Sequence, residues 1–240
     1  MNLSIGCVTD IGYYRNKNQD RVMCKRELLG EHVLAVACVC DGIGSFADSE
    51  IASGMMIDGV SAWFDGVIKY FPNVISKSEL IEDLDLTLQE LNELLYEYRT
   101  EQGMEVGCTM SLMLMINYEY YIFHVGDSRV YCLRDKLIQL TQDEVILKQI
   151  NGRAKTMLVN YVGKNRLLSV NKQYGRASRA DMYILGSDGL YELMTYEDVY
   201  DMKRYISKDE DAEKVCRILV SLVLSRGEKD NVSCAILQLM

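Results

Sequence analysis

The chain of 240 residues has one proline, two histidines and no Cys-x-x-Cys pair. With so little proline and no Gly/Ser/Pro-rich stretch, nothing in it reads as a linker, and no internal repeat is visible. The length suits one domain, residues 1–240, with a sizeable core. His32 and His124 stand apart from each other and from any closely spaced cysteines, which excludes a zinc site of ordinary ligand spacing. No window approaches about 18 consecutive apolar residues, so no membrane-spanning helix is expected. The opening Met1-Asn2-Leu3-Ser4-Ile5-Gly6 lacks a basic region followed by an apolar stretch, so no signal peptide is expected either. Positive charge is also short: 26 Lys and Arg face 35 Asp and Glu, a net charge of −9. That balance argues against a nucleic-acid backbone or an anionic membrane as partner. The eight cysteines read as buried, reduced thiols of a cytoplasmic protein, with Cys38 and Cys40 on the same side of one strand.

What is present is a series of apolar runs with two different periods. Leu3 to Thr9 and Val33 to Cys40 read as strands, the second buried on both faces. Asp48 to Tyr70 carries Ile51, Met55, Val60, Phe64 and Val67 at helical spacing, and Pro72-Asn73 ends it. Ser78-Glu79 opens a second helix to about Arg99, with Leu80, Leu84, Leu88, Leu91 and Leu95 as its inner stripe. Strands follow over Val106–Ile116, Tyr120–Val125 and Val130–Arg134. Asp143 to Ile150 is expected to form a short helix, and Asn151 to Arg179 to be rich in loops. A strand at Asp181–Leu185, helices at Thr195–Lys203 and Asp211–Leu224 and a strand at Val232–Leu239 complete the pattern. Two long helices in succession do not alternate with strands as βαβ units would. The expected class is α+β, with antiparallel sheets packed face to face and helices outside.

The apolar runs end on aspartates. Asp41 closes Val39-Cys40, Asp188 follows Leu185-Gly186-Ser187, Asp127 sits in Gly126-Asp127-Ser128, and Asp230 precedes the last strand. Each pair alone is ordinary turn chemistry. Sheets bring strand ends together, however, and with Asp20 these carboxylates could converge. Like charges raise one another's pKa, and hard divalent cations remove that cost. Oxygen donors without His or Cys point to Mg²⁺ or Mn²⁺.

The order of short motifs extends this. Thr9-Asp10-Ile11-Gly12, Arg15, Asn18-Gln19-Asp20; Asp41-Gly42-Ile43-Gly44; Gly107-Cys108-Thr109; His124-Val125-Gly126-Asp127-Ser128-Arg129; Leu140-Thr141-Gln142-Asp143; Ser187-Asp188-Gly189-Leu190; and Asp230-Asn231-Val232 follow one another along nearly the whole chain. The series resembles the metal-dependent protein phosphatase 2C family in its compact bacterial form. The resemblance implies an αββα sandwich and metal-dependent hydrolysis of phosphoserine and phosphothreonine in proteins, opposing a bacterial serine/threonine kinase. It implies two Mn²⁺ or Mg²⁺ ions at one end of the sandwich. Asp41 would bridge them, the Gly42 carbonyl would bind one, and Asp188 and Asp230 would complete the ligand set of the second ion. Asp20 would act through water, and Asp127 with Asp188 matches the place of a third, weaker ion. Arg15 matches the arginine that grips the substrate phosphate, a task suited to its planar donors. No cysteine has the Cys-x5-Arg setting of a cysteine phosphatase. A monomer is the default expectation.

Three departures bear on function. Ile43 stands where some members carry a histidine that protonates the leaving group, and isoleucine cannot do so. Gln19 replaces a glutamate seen in many relatives. The flap segment, about 141–163, looks shortened, and Arg153, Lys155, Lys164 and Arg166 in or near it read as a solvated basic loop, with steering of acidic peptide as the functional alternative. Ile43 and the short flap sustain a second expectation, a catalytically weak phosphatase-like module that binds a partner.

Overall fold

The apolar runs become strands covered on both faces. A computed structural model describes residues 2–46, 48–70, 76–150, 153–206 and 211–240. Its elements in chain order are β1 (Leu3–Asp10), β2 (Arg21–Leu29), β3 (His32–Cys40), α1 (Ser49–Tyr70), α2 (Lys77–Gln102), β4 (Met110–Ile116), β5 (Glu119–Val125), β6 (Arg129–Leu133), β7 (Leu137–Gln139), β8 (Val145–Ile150), β9 (Arg153–Leu158), β10 (Asn171–Arg176), β11 (Met182–Gly186), α3 (Asp188–Tyr191), α4 (Tyr196–Lys203), α5 (Asp211–Ser225) and β12 (Val232–Leu239). One antiparallel sheet runs β1-β12-β11-β6-β7 and a second runs β10-β5-β4-β3-β2; β8 and β9 pair as a separate hairpin.

Side chains alternate across a strand, so each central strand feeds two cores. On β3, Val33, Ala35, Ala37 and Val39, with Met113 beside them on β4, face the other sheet, where they meet Tyr183, Leu185, Ala235 and Leu237. The intervening Leu34, Val36, Cys38 and Cys40 turn outward onto α1 and α2 with Met56, Phe64, Leu84 and Leu88. On β12, Val232, Cys234 and Ile236 face α5 through Val215, Leu219 and Val223. The order is therefore helices, sheet, sheet, helices, the expected α+β sandwich. Among the described residues no helix is long and apolar enough to cross a membrane.

Local signals set the helix ends. Ser76 and Glu79 form a reciprocal capping box at the start of α2, and Gly103 closes it in the left-handed conformation at φ 62°. The helix thus starts and ends slightly outside the expected 78–99. Pro72 and Asn73 lie outside the described residues.

Two expectations are corrected. Residues 143–150 form no helix: Val145–Ile150 is strand β8, paired Ile146 to Met157 and Lys148 to Lys155. The run Val-Ile-Leu is too short for a helical stripe to outweigh its β-branched preference once a partner strand is present. Asn151 itself is outside the described residues, but the stretch to Arg179, expected as loops, contains β9 and the edge strand β10. The edge strand β2 was also not expected. Arg21, Lys25, Arg26 and Glu27 break its apolar pattern, as charges do on a protected sheet edge.

Candidate metal and phosphate site

The chain after β3 does not turn into a hairpin. Asp41 and Ile43 exchange backbone bonds with Gly107 and Thr109 (Thr109 N–H to Asp41 O 2.8 Å, Ile43 N–H to Gly107 O 3.1 Å). The Thr109 hydroxyl accepts the Asp41 N–H at 3.1 Å. The Gly42 carbonyl lies between these bonds and is not spent on the ladder. Gly42 is glycine for a steric reason, because a Cβ there would lie 2.7 Å from the Gln19 carbonyl oxygen and 2.9 Å from Ser49 Cβ. The second Asp-Gly pair obeys the same logic. A Cβ on Gly189 would stand 2.2 Å from the Asn231 carbonyl oxygen, so only glycine lets the start of α3 touch the segment that carries Asp230. The pairing of β11 with β12 continues past their ends through Ser187 N–H to Ser233 O at 3.2 Å and Ser233 N–H to Ser187 Oγ at 3.0 Å.

The loop between β1 and β2 carries Arg15 and Asp20. Buried Asn231 fastens it, donating from Nδ2 to the carbonyls of Ile11 (2.9 Å) and Lys17 (3.1 Å) and accepting the Gln19 N–H at 2.8 Å. Arg21 donates to the Asn18 and Asp20 carbonyls, both at 2.7 Å. Asp127 is held in the β5–β6 turn, where Gly126 N–H donates to Glu144 Oε2 at 2.9 Å.

These elements bring Asp20, Asp41, Asp127, Asp188 and Asp230 within electrostatic reach of one another. Burial, then the facing Asp20, Asp188, Asp127 and Asp230, push the Asp41 carboxyl well above the usual range. Burial and the neighbouring Asp230, Asp20 and Asp127 raise Asp188 to about 7. Burial raises Asp127 to about 6, with Asp143 adding to it. Asp20 is almost wholly enclosed and also rises to about 6 through burial, against the lowering effect of Ser187 and Ser233. Its Oδ2 is buried without a hydrogen-bond partner. Arg15 reaches Asp230 at 2.5 Å, with both side chains about a third or more exposed. A cleft of about 390 Å³ opens here, lined among others by Arg15, Asp188, Glu192, Glu228, Lys229 and Asp230.

Clustered acids, an all-oxygen donor set and an orphaned buried carboxylate oxygen fit a hard divalent cation. The shell is not closed: among the described residues no three His, Cys, Asp or Glu side chains are gathered as a finished metal site, and Asp230 is turned to Arg15. All the expected site residues, Arg15, Asp20, Asp41, Gly42, Asp127, Asp188 and Asp230, nonetheless lie at the same end of the sandwich.

Other residues sort differently. His124 is buried, its Nε2 donating to the Gln142 carbonyl at 3.1 Å and its Nδ1 3.0 Å from Ser111 Oγ; it is part of the scaffold. His32 is exposed at the start of β3 beside Asn117. Arg166 is tied to Glu93 and Glu97 on α2, and Lys164 to the Val159 carbonyl. The Arg153 side chain lies outside the described residues. Sequence reasoning overlooked the roles of Asn231 and of Glu228, whose Oε1 accepts the N–H groups of Lys229 and Asp230. The only available signal was their place beside Asp230, since an Asn or Glu that secures backbone has no periodicity of its own.

The sequence matches the protein phosphatase 2C family over residues 15–222. It is similar to the serine/threonine phosphatase stp of Listeria monocytogenes, 25% identical over 250 residues that cover 96% of this chain and 93% of that protein. The fold is similar to that of a bacterial serine phosphatase (TM-score 0.79, 24% identity, 100% of this chain and 98% of that one). It also resembles the catalytic domain of the serine/threonine protein phosphatase PstP in complex with two manganese ions (TM-score 0.74, 23% identity, 98% and 97% covered).

Proposed function

The chain belongs to the protein phosphatase 2C family of protein-serine/threonine phosphatases, and from that premise we propose that it hydrolyses phosphoserine and phosphothreonine in proteins by a metal-dependent route. The observation that carries the mechanism is the convergence of five aspartates, four of which, Asp20, Asp41, Asp127 and Asp188, have their ionisation penalised by burial and then by their acidic neighbours, with Arg15 at their edge. Asp41, the Gly42 carbonyl, Asp188 and Asp230 would hold two ions, with Asp20 around them and Asp127 with Asp188 holding a third. The manganese of the PstP complex supports this choice of cation class, and Mg²⁺ suits the same donors. Such ions would supply Lewis-acid activation of water and neutralise charge on the phosphoryl group.

The chain's own residues do the rest. Arg15 stands on a loop fixed by Asn231, and its guanidinium can present two donors to a phosphate once it leaves Asp230. The residues around Asp41 are held by Thr109 and Gly107, so the carboxylate meets its ligand without reorganising the backbone. Ile43 offers no proton, so leaving-group protonation falls to water. The substrate class is phosphoproteins made by a serine/threonine kinase, and residues 1–240 act as one phosphatase domain.

The test is release of phosphate from a phosphothreonine peptide with Mn²⁺, with Mg²⁺ and with chelator, with Asp188→Asn as control. Turnover that needs the cation and vanishes in the variant is expected. Folded, cation-loaded protein without turnover would overturn the proposal and favour a binding module.

A further inference from the structure

We propose that Lys229 is a second phosphate-recognition residue, standing on the wall of the Arg15 cleft and engaging the phosphoryl dianion. This rests on the phosphatase reading above. Among the described residues that line the cleft, only Arg15 and Lys229 are cations, against Asp188, Glu192, Glu228 and Asp230. Arg15 is committed to Asp230. Lys229 is exposed and takes part in no ion pair among the described residues. An unpaired, exposed cation on the wall of an acidic cleft, in a chain of net charge −9, is free to attract an incoming phosphate dianion while Arg15 is still paired.

Its placement is built rather than incidental. Glu228 is buried, and its Oε1 accepts the N–H of Lys229 at 2.6 Å and of Asp230 at 3.0 Å. One carboxylate therefore fixes the backbone of the turn that carries Lys229. Two residues on, Asn231 secures the loop that carries Arg15. Residues 228–231 thus set both cations of the cleft relative to each other. A site held by such backbone bonds loses little freedom when it takes up its ligand.

A lysine contributes a point charge and flexible donors where Arg15 contributes a planar fork. Lys229 is therefore expected to capture the phosphate, with Arg15 following as it exchanges Asp230 for the substrate. The consequence is carried by binding and by sensitivity to salt.

The experiment compares wild type, Lys229→Ala, Lys229→Glu and Lys229→Arg in Mn²⁺. It reads steady-state hydrolysis of a phosphothreonine peptide across ionic strengths and, separately, calorimetric binding of inorganic phosphate. Lys229→Ala is expected to raise KM and the phosphate Kd about tenfold, the scale of one hydrogen bond to a charged group, with kcat affected far less. Lys229→Glu should be worse, Lys229→Arg should recover most of the loss, and the salt dependence of kcat/KM should flatten in Lys229→Ala. Equal KM, equal phosphate affinity and equal salt dependence in wild type and Lys229→Ala would overturn the inference. If the wild type shows no turnover, the phosphatase reading fails by itself, and the phosphate titration still decides whether Lys229 binds the anion.

Discussion

Asp188→Asn should stabilise the cation-free protein while abolishing its activity. Asp188 titrates at about 7 in the folded chain instead of its ordinary 3.8, because it is buried and faces Asp230, Asp20 and Asp127. The folded chain holds that proton more tightly than the unfolded chain does. Stability from this group is therefore fully present below about pH 4 and is lost as pH rises through about 7. At about 1.36 kcal/mol for each pH unit between the two values, the ionised Asp188 costs up to about 4 kcal/mol above pH 7. Neighbouring carboxyls can take up protons in its place, so half that amount is a fair lower expectation. Asparagine keeps the shape and removes the charge. For a domain of this size, about 2–4 kcal/mol corresponds to a rise in Tm of about 4–16 °C. The assay is thermal unfolding in chelator from pH 4.5 to 8, for both proteins. The expected result is two curves that approach each other at the acid end, diverge between about pH 4 and 7 and stand fully apart above pH 7, with the variant more stable. Added Mn²⁺ should narrow or reverse the gap, because a ligand that binds only the folded state stabilises the protein holding the intact ligand set. Equal or lower Tm for the variant at pH 8 in chelator would refute the electrostatic account of the site.

Two further predictions use the same geometry. Arg15→Ala should raise KM for a phosphothreonine peptide about 10- to 100-fold, the range of one or more charge-assisted hydrogen bonds, and unchanged kinetics would remove Arg15 from phosphate binding. Gly189→Ala should destabilise the fold by about 1–3 kcal/mol or more and impair turnover, because its Cβ would meet the Asn231 carbonyl oxygen at 2.2 Å, a backbone atom with little room to retreat; a wild-type Tm would contradict this.

How much of this was legible in sequence depends on what each residue answers to. The central strands were legible because burial on both faces leaves an uninterrupted apolar run, as in Val33 to Cys40. The edge strand β2 and the β8–β9 hairpin were not, because an edge carries charge and a hairpin outside both sheets has only its partner strand to specify it. The aspartates were legible as a recurrent ending of apolar runs and by the order of their motifs. Their convergence was expected from strand ends and from the family resemblance, but which acids stand side by side depends on register: Gly186 opposite Cys234 carries the ends of β11 and β12 together, and thus Asp188 beside Asp230.

The glycines join these two levels. In Asp41-Gly42 and Asp188-Gly189 the turn reading and the site reading compete for the same residues, and the contacts decide between them. Neither glycine stands in the left-handed region, so neither is there to reverse the chain. Each is instead pressed against backbone from another part of the site: Gly42 against Gln19 next to Asp20, and Gly189 against Asn231 next to Asp230. The glycine in each pair lets two acid-bearing segments approach more closely than any side chain would allow. Burial, and then the mutual repulsion that this approach brings, raises the pKa values of Asp20, Asp41 and Asp188 and costs the fold stability. A sequence selected for stability alone would separate those segments, so the close approach is itself an argument that the acids serve a cation.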